Sequence, residues 1–269
     1  LDSAHAPRAR RTAYEWLLQA NPSAKQRLLP QLLNDPSVEM RRDAVALLIQ
    51  QGLELKIAGK GKASETLFQQ AMAAARDQDQ VKILAVELKE LGKPVDLSRH
   101  FGFLPKWNLI APFDNTDGKG YAASYPPEKS ANPRIVHQGK DDPVRWIAHE
   151  TEDEYGLVLL NKALDNHKGS VAYAHTKFTS KKGGPAEVRL GCGTSWKLWI
   201  NGKFAFGRDE YHRGFKMDQY VVPVLLKPGE NEILLKVCQN EQTEDWAQKW
   251  QFQLRVCDAS GTGLLSADR

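Results

Sequence analysis

Few of the chain's nucleophiles and acids stand at spacings that catalysis requires. The richest run of small residues is Gly191-Cys192-Gly193-Thr194-Ser195. A cysteine nucleophile there needs an imidazole to take its proton, and His175 or His212 would have to supply it. A tight turn between two strands accounts for the run more simply. The stretch His149-Glu150-Thr151-Glu152-Asp153-Glu154 has the residue types for the carboxylate pair of glycoside hydrolysis. It reads first as a solvated loop between strands. No Gly-x-Ser-x-Gly elbow, His-Glu-x-x-His helix or phosphate-cradling glycine loop occurs. The histidines form no i, i+2 or i, i+4 pair, and Cys192, Cys238 and Cys257 lack metal-ligand spacing. Cys238 and Cys257 both fall in strand-like segments. They read as buried thiols, with a bridge between them as the alternative in an oxidising compartment.

Aromatics outside strands are the stronger signal. Sugar sites present flat aromatic faces to C–H surfaces, with a few polar groups fixing the hydroxyls. Trp146, Tyr155, Tyr211, His212 and Trp246 all lie outside clear strand runs. The stretch GRDEYHRGFKMD, 207–218, surrounds Tyr211 with Arg208, Asp209, Glu210 and Arg213. The expected ligand-binding residues are therefore Arg208, Asp209, Tyr211, His212, Trp146 and Trp246. Against each stands the plainer reading that the ring plugs an edge of the fold.

These residues need elements to hold them. Residues 1–92 carry helical periodicity. ARRTAYEWLLQA, 9–20, sets Tyr14, Leu17 and Leu18 on one face. Asn21-Pro22-Ser23 breaks it, with Ser23 placed to cap a helix bearing Leu28, Leu29, Leu32 and Leu33. A helix near 36–51 comes next and is expected to end at Gly52. Two more are expected near 62–76 and 78–91, closed by Gly92. NDPSVEMRRDAVALLIQQG resembles the second helix of a HEAT-type repeat over about one and a half repeats. In that reading Val38, Ala44 and Val45 face a partner helix, and Arg41 and Arg42 face solvent. Residues 93–106 have no sustained period. Phe101, Phe103 and Leu104 suit a connector docked on the second domain.

From Trp107 the period becomes two. Strand-like runs occur at 107–113, 171–178, 186–191, 196–201, 203–207, 219–226, 232–238 and 250–257, separated by Gly, Pro and Asn turns. In WKLWINGK, Trp196, Leu198 and Ile200 share one face, and Lys197 and Trp199 the other. Asn201-Gly202 suits a type I′ turn. In VVPVLLKPGENEILLKVCQ a tight Pro-Gly turn joins a strand to a partner strand, with Leu225, Ile233 and Leu235 as core residues.

LWINGK, V.LKPGENEILLKV and W.F.LRVCD..G resemble the C-terminal half of galactose-binding-like jelly rolls. WNLIAPFDN....GY and YPPE are similar to the opening strand and first loop of a subset of them. Over roughly 107–262 the resemblance implies a β-sandwich module, often carbohydrate-binding and without turnover. Such modules are appended to glycoside hydrolases and to large secreted bacterial proteins. It also implies a structural calcium in some members, near the first strand. Asp114, Asn115 and Asp117 would be the oxygen ligands here; an Asx-type turn before Gly118 is the alternative.

Composition bounds the rest. Apolar residues make 41% and charged residues 26%, which supports real cores. Seven Trp, seven Tyr and nine Phe exclude a disordered chain. No apolar run reaches the roughly 20 residues of a membrane span. The net charge of +4 is mild, with no nucleic-acid-binding signature beside it. The chain starts at Leu1 with no signal peptide in view, as a processed or trimmed terminus would. The expected fold is α+β in two domains. These are a HEAT-like helical domain at 1–92, a connector at 93–106, and a galactose-binding-like antiparallel sandwich at 107–269. The expected function is a non-catalytic binding module for a glycan or similar ligand, extracellular, periplasmic or in the cell envelope. The alternatives are a structural module whose helices 1–92 contact a protein partner and, distantly, a glycoside-active enzyme.

Overall fold

The computed structural model describes residues 1–268; residue 269 of the expected 107–269 domain lies outside the described residues. The chain divides into two compact units, Leu1–Leu97 and Ser98–Arg269.

The first unit is helical. α1 (Pro7–Ala20) turns Arg10 and Tyr14 inward. The Arg10 guanidinium forks onto the buried carboxylate of Asp35, donating from Nη1 at 2.8 Å and also from Nη2. α2 (Ala24–Leu28) is short, and a 3₁₀ turn, Leu29–Leu32, replaces its continuation. Pro30 has no N–H for the α-helical ladder, which explains the switch. Ser23 does not cap α2 with its side chain; its hydroxyl donates to Asn21 Oδ1 at 2.7 Å. α3 (Val38–Ile57) is capped by Ser37 Oγ, which accepts from Met40 N at 3.5 Å.

α3 does not end at Gly52. It continues to Ile57, and Gly52 lies buried in its middle. A Cβ there would come within 2.4 Å of the Phe68 ring of α4 (Gly61–Ala74). Ser64 Oγ donates to Gly52 O at 2.7 Å. The glycine serves close approach of two helices, not chain reversal. Two facing expectations also change. Arg41 is buried, with Nη1 donating to Asp35 O at 3.4 Å, and Val38 is 48% exposed. Arg42 does reach outward, to Asp79 of α5 (Gln78–Glu90). Gly92, at φ +72°, closes α5 as expected.

The second unit opens with the end of α6 (Leu97–Phe101). Phe101, Phe103 and Leu104 are buried. Leu104 N donates to Leu254 O at 3.0 Å, and Arg255 Nη1 to Phe101 O at 3.0 Å. The segment thus docks on the sheet whose strand carries Leu254 and Arg255.

The strands of this unit are β1 (Lys106–Asp114), β2 (His137–Gln138), β3 (Pro143–Val144), β4 (Ile147–Glu150), β5 (Val158–Leu159), β6 (Ser170–Ser180), β7 (Gly184–Cys192), β8 (Trp196–Ile200), β9 (Lys203–Arg208), β10 (Tyr220–Leu226), β11 (Gly229–Gln239) and β12 (Gln251–Cys257). A six-stranded sheet runs β4-β1-β6-β11-β8-β9, and a four-stranded sheet runs β10-β7-β12-β5. Their pairings are antiparallel. Alternate side chains of both sheets meet in one core, with Leu109, Ala174, Leu198 and Leu235 from the larger and Val188, Leu190, Val222 and Leu254 from the smaller. That is a β-sandwich.

The β8–β9 hairpin obeys its sequence. Trp196, Leu198 and Ile200 enter the core, and Asn201 and Gly202 take φ +52° and +74°. The Pro-Gly turn differs from expectation. It does not join paired strands, because β10 belongs to the smaller sheet and β11 to the larger. The buried Asn231 side chain shapes this crossing, donating to Lys227 O at 2.9 Å and Gly229 O at 3.0 Å. Leu225 is 74% exposed, while Val222 and Leu226 face the core. One residue's shift along a strand exchanges its faces.

The larger sheet is covered on its outer face too. Residues 115–146 lie over it, burying Val144 and Trp146 with Ile110, Phe113, Tyr173, Trp199 and Leu234. At the centre, Lys236 is fully buried. Its ammonium donates to Ala123 O at 2.6 Å and Glu128 Oε1 at 2.9 Å, and the Tyr173 hydroxyl donates to the same carboxylate. Among the described residues no helix is long and apolar enough to cross a membrane.

Candidate functional site

Three loops meet beyond the ends of β1, β9 and β11. The first leaves β1 at Asp114. Its carboxylate accepts from Thr116 Oγ1 at 2.6 Å and Thr116 N at 3.1 Å, with Lys140 Nζ at 3.5 Å. Those Thr116 bonds, with Lys140 beside them, hold the carboxyl below its ordinary range. Asn115 is buried, and its amide donates to the Tyr211 hydroxyl at 2.9 Å and Gln239 O at 3.0 Å. Asp117 and Gly118 then take φ +58° and +72°. This turns the Asp117 N–H onto Glu241 Oε2 at 3.2 Å.

The second loop leaves β9. Tyr211 is half-buried, and burial pushes its phenol up to about 12. His212 sits at φ +58° and crosses the Trp246 ring edge to face, with centroids 4.6 Å apart. Its Nε2 is 2.9 Å from Asn240 Nδ2. The third loop, after β11, supplies Asn240, Glu241, Gln242, Thr243 and Glu244. It ends in a 3₁₀ turn, Asp245–Ala247, that carries Trp246. Gln242 N donates to Asn240 Oδ1 at 3.3 Å, and Asn240 Nδ2 to Gln242 Oε1 at 2.7 Å. The buried Ala247 anchors the turn, its carbonyl accepting from Gln239 Nε2 at 3.2 Å.

Between the loops is a depression of about 500 Å³ lined by Asp117, Tyr211, Asn240, Glu241, Gln242 and Glu244, among others. Trp246, 59% exposed, stands beside it through its contact with His212. The arrangement offers a flat apolar face next to amide, hydroxyl and carboxylate groups. That is the chemistry of a polyhydroxylated ligand.

The expected residues separate accordingly. Tyr211, His212 and Trp246 come together, joined by Asn115 and Asp117, which sequence grouped as calcium ligands. Trp146 does not join them. It belongs to the covering segment and is buried against the outer face of the larger sheet, its ring at a steep angle to His175 with centroids 6.2 Å apart. Arg208 lies over the Phe206 ring at 4.9 Å, and Asp209 accepts from Ser195 Oγ at 2.9 Å. They buttress the loop from outside the depression. Of the expected calcium ligands, Asp114 accepts from Thr116, Asn115 donates to Tyr211, and Asp117 pairs with Lys119 at 2.9 Å. Among the described residues no group of three His, Cys, Asp or Glu side chains could hold a metal ion.

Asn240 and Gln242 were not anticipated. The polar run QNEQTEDW between two apolar strands was their signal. Cys192 is fully buried, with its thiol pushed up to about 11 by burial, which removes the nucleophile reading. The flanking glycines have another use. A Cβ on Gly191 would lie 2.7 Å from Lys216 O, and one on Gly193 2.7 Å from Gly214 O. They let the second loop lie flat on β7. All three cysteines are buried free thiols. His149 and Glu150, expected in a loop, belong to the edge strand β4.

A larger cleft, about 760 Å³, opens where β1 and β6 part, lined by Lys106, His149, Glu150, His175 and Lys177 among others. Its charges are spent on one another or on neighbours, Lys106 with Glu150 at 3.6 Å and Lys177 with Glu230 at 2.9 Å. Its indole, Trp107, is buried and donates to Leu104 O at 2.7 Å. It offers no exposed flat ring, so the smaller depression is the better ligand site.

No family model and no curated protein matches the chain. Solved structures with some likeness include a β-glucuronidase from an uncultured Clostridium sp., at 13% identity and TM-score 0.32 over 58% of this chain and 28% of that one. A GH2 β-galacturonidase from Eisenbergiella tayi bound to glycerol has 11% identity and TM-score 0.32 over 57% of this chain and 25% of that one. A family 35 carbohydrate binding module from Clostridium thermocellum has 14% identity and TM-score 0.23 over 34% of this chain and 73% of that one. The chain thus spans about a quarter of the length of the two enzymes. All three likenesses are remote in fold as well as in sequence.

Proposed function

We propose that the second unit is a carbohydrate-binding module of the galactose-binding-like jelly-roll kind, without turnover, and that Trp246 is its stacking platform. The observation that carries this is the exposed indole held by His212 beside a depression of amides, a phenol and carboxylates. A tryptophan so exposed adds little to a core, and a T-shaped contact with His212 holds its ring. The burial of Cys192 supports the non-catalytic reading. The same reading places the protein in the cell envelope or outside the cell, where polysaccharide is met. The paired helices of the first unit are read as HEAT-like.

The test is affinity electrophoresis in gels containing soluble polysaccharides. Trp246→Ala should weaken retention by about 2 kcal/mol, as loss of a central aromatic anchor does, or roughly thirtyfold in Kd. Equal retention of variant and wild type would sink the assignment. Release of reducing sugar from a retained polymer would replace the non-catalytic reading with the glycoside-active one.

A second reading has one observation in its favour. On α1, Trp16 is 69% exposed, a large ring with no place in the helical core. A protein partner gripping residues 1–92 would use it, and a pulldown abolished by Trp16→Ala would show this.

A further inference from the structure

The depression beside Trp246 has a sign. Asp117, Glu241 and Glu244 bring carboxylates to its lining, Asn240 and Gln242 bring amides, and no lysine or arginine lines it among the described residues. The neighbouring cations are already engaged. Lys119 sits on Asp117 at 2.9 Å and compensates that carboxylate, which leaves Glu241 and Glu244. Lys140 donates to Gly169 O at 2.8 Å, and Lys168 to Ala247 O at 3.3 Å. The reciprocal bonds of Asn240 with Gln242 fix the Asn240 amide, and His212 Nε2 lies 2.9 Å from its Nδ2.

We infer that the site selects neutral or amino-bearing glycans and rejects uronic acids. The inference rests on the carbohydrate reading above and names its ligand class. Hydroxyl and ammonium groups donate to carboxylates, and the charged donor makes the stronger bond. A uronate carboxylate would enter a lining that contains no cation and carries the like charges of Glu241 and Glu244, and such juxtaposition suppresses the wrong partner. The acids do not define the site. Trp246, His212, Tyr211 and the two amides do, and the acids set its preference.

The experiment compares the intact chain on neutral xylan, galactan and β-glucan, on chitosan, and on polygalacturonate, first at low salt. The expected result is retention on a neutral polymer or chitosan, with polygalacturonate bound at least about tenfold more weakly. The gap should narrow as salt screens the wall. Glu241→Gln with Glu244→Gln should raise the affinity for polygalacturonate relative to that for the neutral polymers. Should that variant fail to fold, the salt dependence of the wild type decides. Polygalacturonate bound as tightly as the neutral polymers, with no response to salt, overturns the selection and leaves the carbohydrate reading standing. Retention on none of the polymers overturns that reading and this inference with it.

Discussion

His175 shows how one residue couples burial to pH. It is 4% exposed, and neither ring nitrogen has a hydrogen-bond partner among the described residues. Burial drives its pKa below the ordinary 6.5; Glu232 and Glu230 pull it back up, and Lys177 pushes it further down. Trp146, across from it, brings no charge, and Leu234 and Asn108 flank it on the sheet. Because the folded pKa is depressed, the unfolded chain binds the proton first. Stability from this site is full above the unfolded value and falls as pH drops through about 6.5, until the folded pKa is reached. His149, also depressed by burial, adds in the same direction. The melting temperature should therefore fall from pH 7 to pH 5, and His175→Phe should flatten that slope. A variant slope equal to that of the wild type would assign the acid sensitivity elsewhere. Sequence shows a histidine at 175 but not its burial. That comes from residues 115–146, remote in the chain, folding over the sheet.

At the scale of elements, the decisive piece is that covering segment. It brings Asp117 and Gly118 to the depression and is tied down by Lys236 through Ala123 O and Glu128. Lys236 is wholly desolvated, and its neighbours Tyr125 and Tyr173 present ring faces at 5.3 and 5.7 Å. Lys236→Met keeps the length of the side chain and removes the charge. It leaves Glu128 without its counter-ion, and should destabilise by about 3–5 kcal/mol in urea unfolding. Adding Glu128→Gln should recover part of that loss, since the stranded charge is then gone. If the single variant is as stable as the wild type, the pair does not hold the segment. Sequence makes Lys236 look like an outward residue of an alternating strand. Alternation reports only that it faces away from the inter-sheet core, and the second covering layer has no period of its own to announce it.

At the scale of the molecule, every residue of the depression belongs to the second unit. Its core of two facing sheets lies wholly within residues 104–264. Residues 93–269 expressed alone should melt cooperatively and, on the carbohydrate-binding proposal, retain any polysaccharide that the full chain retains. Loss of retention in a folded fragment would make the helices part of the site.

Local physics governs what could be read from the chain alone. Eight longer strands were readable because alternation and Gly, Pro and Asn turns are properties of neighbours. The Asn201-Gly202 hairpin and the Gly92 cap were readable for the same reason. The short strands β2 to β5 were not, since two to four residues carry no period. Gly52 was misread because glycine permits both a turn and a close approach, and only its tertiary partner, Phe68, decides between them. The Pro-Gly turn was misread because a turn does not show whether the next strand pairs beside the last or crosses to the opposite sheet. The candidate site was half legible. Tyr211, His212 and Trp246 were singled out as loop aromatics, but nothing local separates them from Trp146. The structure made the distinction by pressing one indole onto sheet strands remote in the chain and leaving the other in solvent. It also brought Asn115 and Asp117 to the same site, because hydrogen bonds between loops remote in the chain leave no mark on sequence spacing.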